Sequence, residues 1–210
     1  MTYLCFLIEM MMSNFDSRAR EWDKDKMHKE RSLAIAVDLE NMITIESSMK
    51  VLEYGAGTGI LSFLLKDRFS EITLMDSSLE MIEVCKEKVE YYKANHIRPL
   101  YFDLERNDYS GKFDIIYNQM VMHHVVDVEM VLDKFYHLLR SGGQIAIADL
   151  YTEDGSFHGP EVNVHWGFDP EELVRKLEKI GFHSLKFKTC FNVKRDNGRE
   201  YPVFLLVGQK

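Results

Sequence analysis

The chain has 210 residues, 46% of them hydrophobic, and a formal net charge of −8 at pH 7. That length and apolar content suit one good core and one domain, while the acidic balance, with no Lys/Arg cluster, excludes a nucleic-acid binder that relies on phosphate neutralisation. Cys5, Cys85 and Cys190 are scattered without a CxxC pair, which excludes a disulfide framework and a zinc motif and points to a reducing compartment.

Residues 1–15 read as a poorly ordered N-terminal extension. Tyr3 to Met12 is apolar except for Glu9, but it lacks a basic leader and a small-residue cleavage site and is too short to span a bilayer. Met10, Met11 and Met12 are each candidate starts. The expectation is a cytoplasmic protein with no membrane contact. Asp16 to Asn41 is charged, then amphipathic, and predicts one or two helices ahead of the core.

From Lys50 onward apolar runs alternate with helical segments. Strands are predicted at Lys50–Tyr54, Ile72–Met75, Ile97–Phe102, Phe113–Tyr117, Gln144–Asp149, Ser184–Val193 and Tyr201–Val207. Helices are predicted at Ile60–Phe69, Leu79–Asn95, Val128–Leu139 and Pro170–Ile180, with a shorter piece near Asp103–Tyr109. Alternation of this kind implies βαβ units and a parallel sheet covered on both faces. Ile145-Ala146-Ile147-Ala148 suits a strand buried on both sides. The tail departs from this rhythm, because Asn197-Gly198 between the last two apolar runs is a hairpin signal and predicts an antiparallel pair.

The chemistry gathers around Glu53-Tyr54-Gly55-Ala56-Gly57-Thr58-Gly59, where a buried strand meets a helix start through three alternating glycines. Such a turn admits positive φ and close approach of a ligand to backbone N–H groups. No Gly-Lys-Ser/Thr follows, so a P-loop is excluded, and the third glycine comes one position early for a dinucleotide fingerprint. Glu53 would repel a pyrophosphate and suits a ligand with a positive group. Asp76, ending the second strand, is placed to accept from two ribose hydroxyls, although Ser77, Ser78 and Glu80 also read as an ordinary helix start. Asp103, after the third strand, is placed to accept from an adenine amino group, with the Leu104 backbone beside the ring.

Together with Phe113-Asp114-Ile115-Ile116-Tyr117-Asn118 and Leu139-Arg140-Ser141-Gly142-Gly143, these motifs resemble class I S-adenosylmethionine-dependent methyltransferases of the small-molecule type, a group that includes ubiquinone/menaquinone C-methyltransferases. The resemblance runs from about Phe15 to the C-terminus. It implies an α/β, Rossmann-like doubly wound seven-stranded sheet, mostly parallel with an antiparallel C-terminal hairpin, as one domain over 16–210. It implies that Glu53, Gly55, Gly57 and Gly59 hold the methionine portion of S-adenosylmethionine and Asp76 the ribose. Ser77 and Met81 would lie beside the adenine, and Asp103 would bind its amino group. Asn118 and Gln119 would lie near the transferring methyl, and Trp22, within Phe15-Asp16-x-x-Ala19-x-x-Trp22-Asp23, would close over the cofactor. Tyr54 departs from the small or aliphatic residue common there. The absent Asn/Asp-Pro-Pro-Tyr/Phe signature argues against methylation of amide or base nitrogens.

His123 and His124 follow the fourth strand, and an imidazole suits deprotonation of an acceptor, while the same pair recurs in relatives as a cap for the next helix. Tyr151 to Phe168, with His158, His165 and Trp166, is the longest unpatterned stretch and is expected to act as a substrate lid. His123, His124 and His165 are therefore the candidate catalytic residues. His124, His158 and His165 lack the fixed spacing of a metal motif, and no metal is expected. The expected partner is a small-molecule substrate, with a homodimer left open. A non-catalytic cofactor-binding regulator and a protein methyltransferase are the alternatives.

Overall fold

A computed structural model describes residues 15–159 and 164–210. The expected N-terminal extension, apart from Phe15, lies outside the described residues, as does the part of the expected lid over 160–163. Helix α1 (15–22) precedes α2 (Lys26–Met42), whose first turn is capped by the Asp25 carboxylate accepting from the Met27 amide. The sheet begins with β1 (Lys50–Tyr54), followed by α3 (Ile60–Leu64), β2 (Glu71–Asp76), α4 (Leu79–Tyr92), β3 (Ile97–Tyr101) and β4 (Phe113–Gln119). Then come α5 (Val128–Leu138), β5 (Leu139–Leu150), α6 (Pro170–Ile180), β6 (His183–Lys194) and β7 (Glu200–Gln209).

The strand order is β3-β2-β1-β4-β5-β7-β6, parallel except that β7 runs antiparallel to both β5 and β6. The expected seven-stranded, doubly wound α/β sheet is therefore present, with its antiparallel C-terminal hairpin. Alternation along each strand builds a layer on either face. Val51, Ile115, Ala146 and Ala148 join Ile35 and Leu39 of α2, Leu61 of α3 and Cys85 of α4 in one core. Leu52, Ile116, Ile145 and Ile147 pack in the other with Leu132 and Phe135 of α5 and Leu173 and Leu177 of α6. Burying one such side chain contributes roughly 1.5–3 kcal/mol, so both faces must be apolar, and the strands read as continuous apolar runs for that reason.

Some boundaries differ from the sequence expectation, each for a local reason. The helix predicted to reach Phe69 stops at Leu64, because the Leu65 amide shares the carbonyls of Leu61 and Ser62 and the chain tightens into a 3₁₀ turn at Lys66–Arg68. The piece predicted near Asp103–Tyr109 is a single turn, in which the Asp103 carboxylate accepts from the Glu105 and Arg106 amides. β5 starts earlier than predicted, at Leu139, with a register shift opposite Phe113 and Ile115. The hairpin turn is longer than two residues. Arg195 closes on Arg199, and Gly198 takes a φ of +76°.

Candidate active site

The chain order reverses between β1 and β4, so their carboxyl ends flank a crevice, the usual ligand position in an open α/β sheet. The glycine turn lies there, and its three glycines answer different needs. Gly55 has φ +62°, and a Cβ on it would sit 2.2 Å from Cγ2 of Val121. Gly59 has φ +74° at the start of α3 and is crowded by Leu74 and Phe63. Gly57 has φ +53° and would meet only the Met81 sulfur, at 3.9 Å. Gly55 and Gly57 line the cavity at these strand ends and Gly59 does not. Only Gly57 therefore combines open space with a place in the cavity wall.

Glu53 is fully buried beneath this turn. Its Oε2 accepts from the Ser62 amide at 3.2 Å and the Ser62 hydroxyl at 2.5 Å, and that hydroxyl is 2.6 Å from the Tyr117 phenol. Its Oε1 is buried with no partner among the described residues. Burial pushes the Glu53 carboxyl up to about 7, against the lowering effect of the Ser62 hydrogen bonds and of Lys88. Glu53 does not itself border the cavity, but its unmet acceptor lies under the Gly55–Gly57 turn that does, and a ligand ammonium reaching beneath that turn would satisfy it.

Asp76, Ser77 and Met81 line the same cavity from β2 and the start of α4, and Asp103 and Leu104 line it from the loop after β3. Asp76 accepts from the Gly57 amide at 2.7 Å through Oδ2 and from the Ser78 amide at 2.8 Å through Oδ1. Each oxygen keeps lone-pair capacity for a further donor. Ser78, not Ser77, caps α4. Asp103 is engaged by its own turn and by Arg106 at 3.4 Å, yet still borders the cavity. Tyr54, the departure from the family pattern, packs edge-on against Phe135 at 5.1 Å, so its bulk fills the α5-side core.

Helix α1 closes over the crevice. Asp16 accepts from the Ser78 hydroxyl, and Asp23 accepts from the Thr58 hydroxyl and pairs with Lys88 at 2.8 Å. Trp22 and Phe15 thereby line the cavity, Trp22 stacked on His28 at 4.3 Å and Phe15 edge-on to His124 at 5.3 Å. Asp16 and Asp23 were legible only as members of the sequence pattern, and their latching contacts come from tertiary packing.

Beyond β4 the expected residues separate. Gln119 lines the cavity and accepts from the Ser32 hydroxyl of α2 at 3.0 Å. Asn118 is one residue earlier and so belongs to the opposite face. It is 1% exposed, does not border the cavity, and neither amide atom has a partner among the described residues. His124 borders the cavity with a buried Nδ1 that has no partner among the described residues, and burial beside two further imidazoles holds it well below the usual histidine range.

His123 is buried behind the wall, its Nδ1 2.6 Å from Asp149 and its Nε2 3.0 Å from Nε2 of His158. His165 does not join them. Its ring nitrogen lies 3.0 Å from the Val125 carbonyl, and its amide donates to the His123 carbonyl at 2.8 Å. His165 therefore ties the 151–168 segment to the loop after β4. The histidines that gather are His123, His124 and His158, whose ligand atoms lie within 4.8 Å of one another. The structure also brings Arg31 into the cavity wall. Sequence reasoning missed it, because Lys29-Glu30-Arg31 reads as a solvated helix face.

A family model for a methyltransferase domain matches residues 27–186, more than half of the chain. The chain belongs to this methyltransferase family. An uncharacterized methyltransferase of Schizosaccharomyces pombe is 29% identical over 146 residues, covering 61% of this chain and 51% of the relative. A trans-aconitate 2-methyltransferase of Deinococcus radiodurans is 28% identical over 141 residues, covering 65% and 52%. The chain thus spans about half the length of the curated relatives it matches. The DhpI-SAM-HEP complex superposes with a TM-score of 0.73 at 21% identity, covering 97% of both chains, a likeness of fold. S-adenosylmethionine is the cofactor of this methyltransferase family. Its requirements fit the residues present: an unmet buried acceptor at Glu53, open space over Gly57 and a carboxylate at Asp76. Among the described residues no helix is long and apolar enough to cross a membrane.

Proposed function

We propose that the chain transfers a methyl group from S-adenosylmethionine to a small-molecule acceptor. The observation that carries this reading is the single crevice in which Gly57, Asp76 and Asp103 at one end are continuous with Gln119 and His124 at the other. When bound, S-adenosylmethionine supplies an electrophilic methyl on a sulfonium. Glu53 accepts from the amino group, Gly55 and Gly57 bring backbone against the methionine portion, and Asp76 accepts from the ribose hydroxyls. Ser77, Met81 and Leu104 form the adenine slot, with Asp103 facing the amino group. Trp22 on the latched α1 excludes water, which favours an aligned, in-line approach.

Little acid–base chemistry is required of this wall. His124 is held neutral at pH 7 and is a weak base, and His123 acts through its neighbours as a buried support. The segment 151–168 serves as lid, tied down by His165, and 16–210 forms one methyltransferase domain in a cytoplasmic setting. Calorimetry with S-adenosylhomocysteine and with NAD tests the cofactor assignment, micromolar binding of the first and none of the second being expected. NAD binding without S-adenosylhomocysteine binding would overturn it. Transfer of labelled methyl to a small-molecule extract, but not to protein, distinguishes the reading from a regulator or a protein methyltransferase.

A further inference from the structure

Three imidazoles from two distant segments meet beside the crevice. His123 and His124 lie in the 3₁₀ turn Met122–His124 that follows β4, and His158 lies in the segment after β5. Their ring centroids form a close triangle, 4.2 Å from His123 to His124, 5.0 Å from His124 to His158 and 5.1 Å from His123 to His158. One ligand nitrogen of each ring lies within 4.8 Å of the other two.

Each ring is set up differently. Asp149 is fully buried and meets His123 Nδ1 at 2.6 Å, while its oxygens also accept from the His123 and Leu150 amides. A carboxylate on Nδ1 keeps the proton there and leaves the lone pair on Nε2, the outer-shell arrangement that orients histidine ligands of metals. That Nε2 faces His158 Nε2 at 3.0 Å. Two nitrogens at about 2.0–2.1 Å from a tetrahedral zinc lie roughly 3.4 Å apart, so the pair is already close to ligating separation. His124 adds a buried Nδ1 with no partner among the described residues, and a buried polar atom is normally met by something. Burial, and next the adjacent His123, hold the His124 and His158 rings down, so both are neutral at pH 7 and offer lone pairs.

A plain hydrogen bond between His123 and His158 accounts for one pair and leaves His124 Nδ1 unmet. One cation shared by the three nitrogens accounts for all of them. The positive groups nearby are each answered. Arg18 and Arg195, which act on His158, lie over the Trp22 and Phe157 rings at 5.0 Å each, and Asp149 acts on both Arg31 and His158. An all-imidazole donor set suits first-row transition ions such as Zn²⁺, whereas Mg²⁺ and Ca²⁺ take oxygen ligands.

We propose that His123, His124 and His158 bind a divalent transition ion of the zinc class, with Asp149 as outer-shell support. Three protein ligands leave a fourth position open, the pattern of catalytic zinc as opposed to structural zinc. Of the three, His124 borders the crevice, as does Gln119, so the open position is reached from there. The metal assignment stands on the histidines alone. Occupation of the fourth position by the methyl acceptor, through an S–H or O–H group, rests on the transfer reading above. Coordination makes such a group acidic. It gives its proton to water, and its bond to the methyl forms as the sulfonium–methyl bond breaks, leaving S-adenosylhomocysteine.

The test uses the full chain after stripping with a chelator. Calorimetry should find one Zn²⁺ per chain, with a higher melting temperature in Zn²⁺ and no response to Mg²⁺. Co²⁺ in its place should give the visible absorption bands of a four-coordinate site. His158→Ala and His124→Ala should each weaken Zn²⁺ binding by more than the roughly 10- to 100-fold that loss of an outer-shell partner costs, and Asp149→Asn should fall within that range. Exposed His137, changed to Ala, should leave Zn²⁺ binding as in the wild type.

A wild type with no stoichiometric Zn²⁺ binding and no metal-dependent melting would overturn the assignment and leave His123 and His158 a hydrogen-bonded pair. Zn²⁺ binding unchanged in both His158→Ala and His124→Ala would overturn it as well. Labelled-methyl transfer to a metabolite extract should fall on stripping and return with Zn²⁺, and full transfer by the stripped chain would overturn the role given to the fourth position. Zn²⁺ binding without S-adenosylhomocysteine binding would support the metal site and remove the transfer reading.

Discussion

Glu53→Gln should move stability and cofactor binding in opposite directions. The unfolded chain releases this proton near the ordinary 4.5, whereas burial raises the folded value to about 7. Between those values the folded state holds more protons than the unfolded one, so stability must fall as pH rises through that window. The difference of about 2.5 in pKa corresponds to roughly 3 kcal/mol at 1.36 kcal/mol per unit. That stability is fully present below pH about 4.5 and lost above pH about 7. Gln keeps a carbonyl for the Ser62 hydroxyl and cannot ionise, so the variant lacks this loss. Urea unfolding at pH 5, 6, 7 and 8 should show the variant gaining on the wild type, by up to about 3 kcal/mol at the highest pH.

Calorimetry on the same proteins should show the reverse for S-adenosylhomocysteine. Wild-type affinity rises from pH 6 to 8 as the carboxylate forms and accepts from the ligand ammonium. The variant should bind about 10- to 100-fold more weakly, the scale of a hydrogen bond to a charged group. A stability difference between the two proteins that does not change with pH would refute the reasoning.

Further outcomes follow from the same geometry. Asp76→Asn should weaken S-adenosylhomocysteine binding by roughly tenfold or more, read by calorimetry, because an acceptor for the ribose hydroxyls becomes a donor. Gly55→Ala places a Cβ 2.2 Å from Val121 at a φ of +62°. It should cost about 2 kcal/mol in urea unfolding, part of it recovered by Val121→Ala. His123→Ala leaves Asp149 buried without its ring partner and should destabilise by roughly 1–3 kcal/mol. His165→Ala releases the 151–168 segment from the Val125 carbonyl and should lower turnover without weakening S-adenosylhomocysteine binding, which single-turnover kinetics and calorimetry separate.

The alternation of apolar runs fixed strands and helices because each strand is covered on both faces, a burial that must appear in composition. Local chemistry was equally legible. Asn197-Gly198 marked the hairpin, and Glu53, the glycines and Asp76 marked a cofactor turn, because all of them act through backbone conformation or position at a strand end. What the sequence left open depends on contacts between distant segments. Gln119 and Asn118 are adjacent in the chain, yet one borders the cavity and the other is buried on the far face. His165, the candidate catalytic residue of its segment, bonds a backbone carbonyl, while His158, not a candidate, meets His123 across 35 residues. Arg31 reads as one more charge on a polar helix until the α2 packing buries it. The sequence by itself determined the fold and the cofactor, since both rest on local pattern. Only the tertiary structure decided which charged groups lose water and which of them are left without a partner.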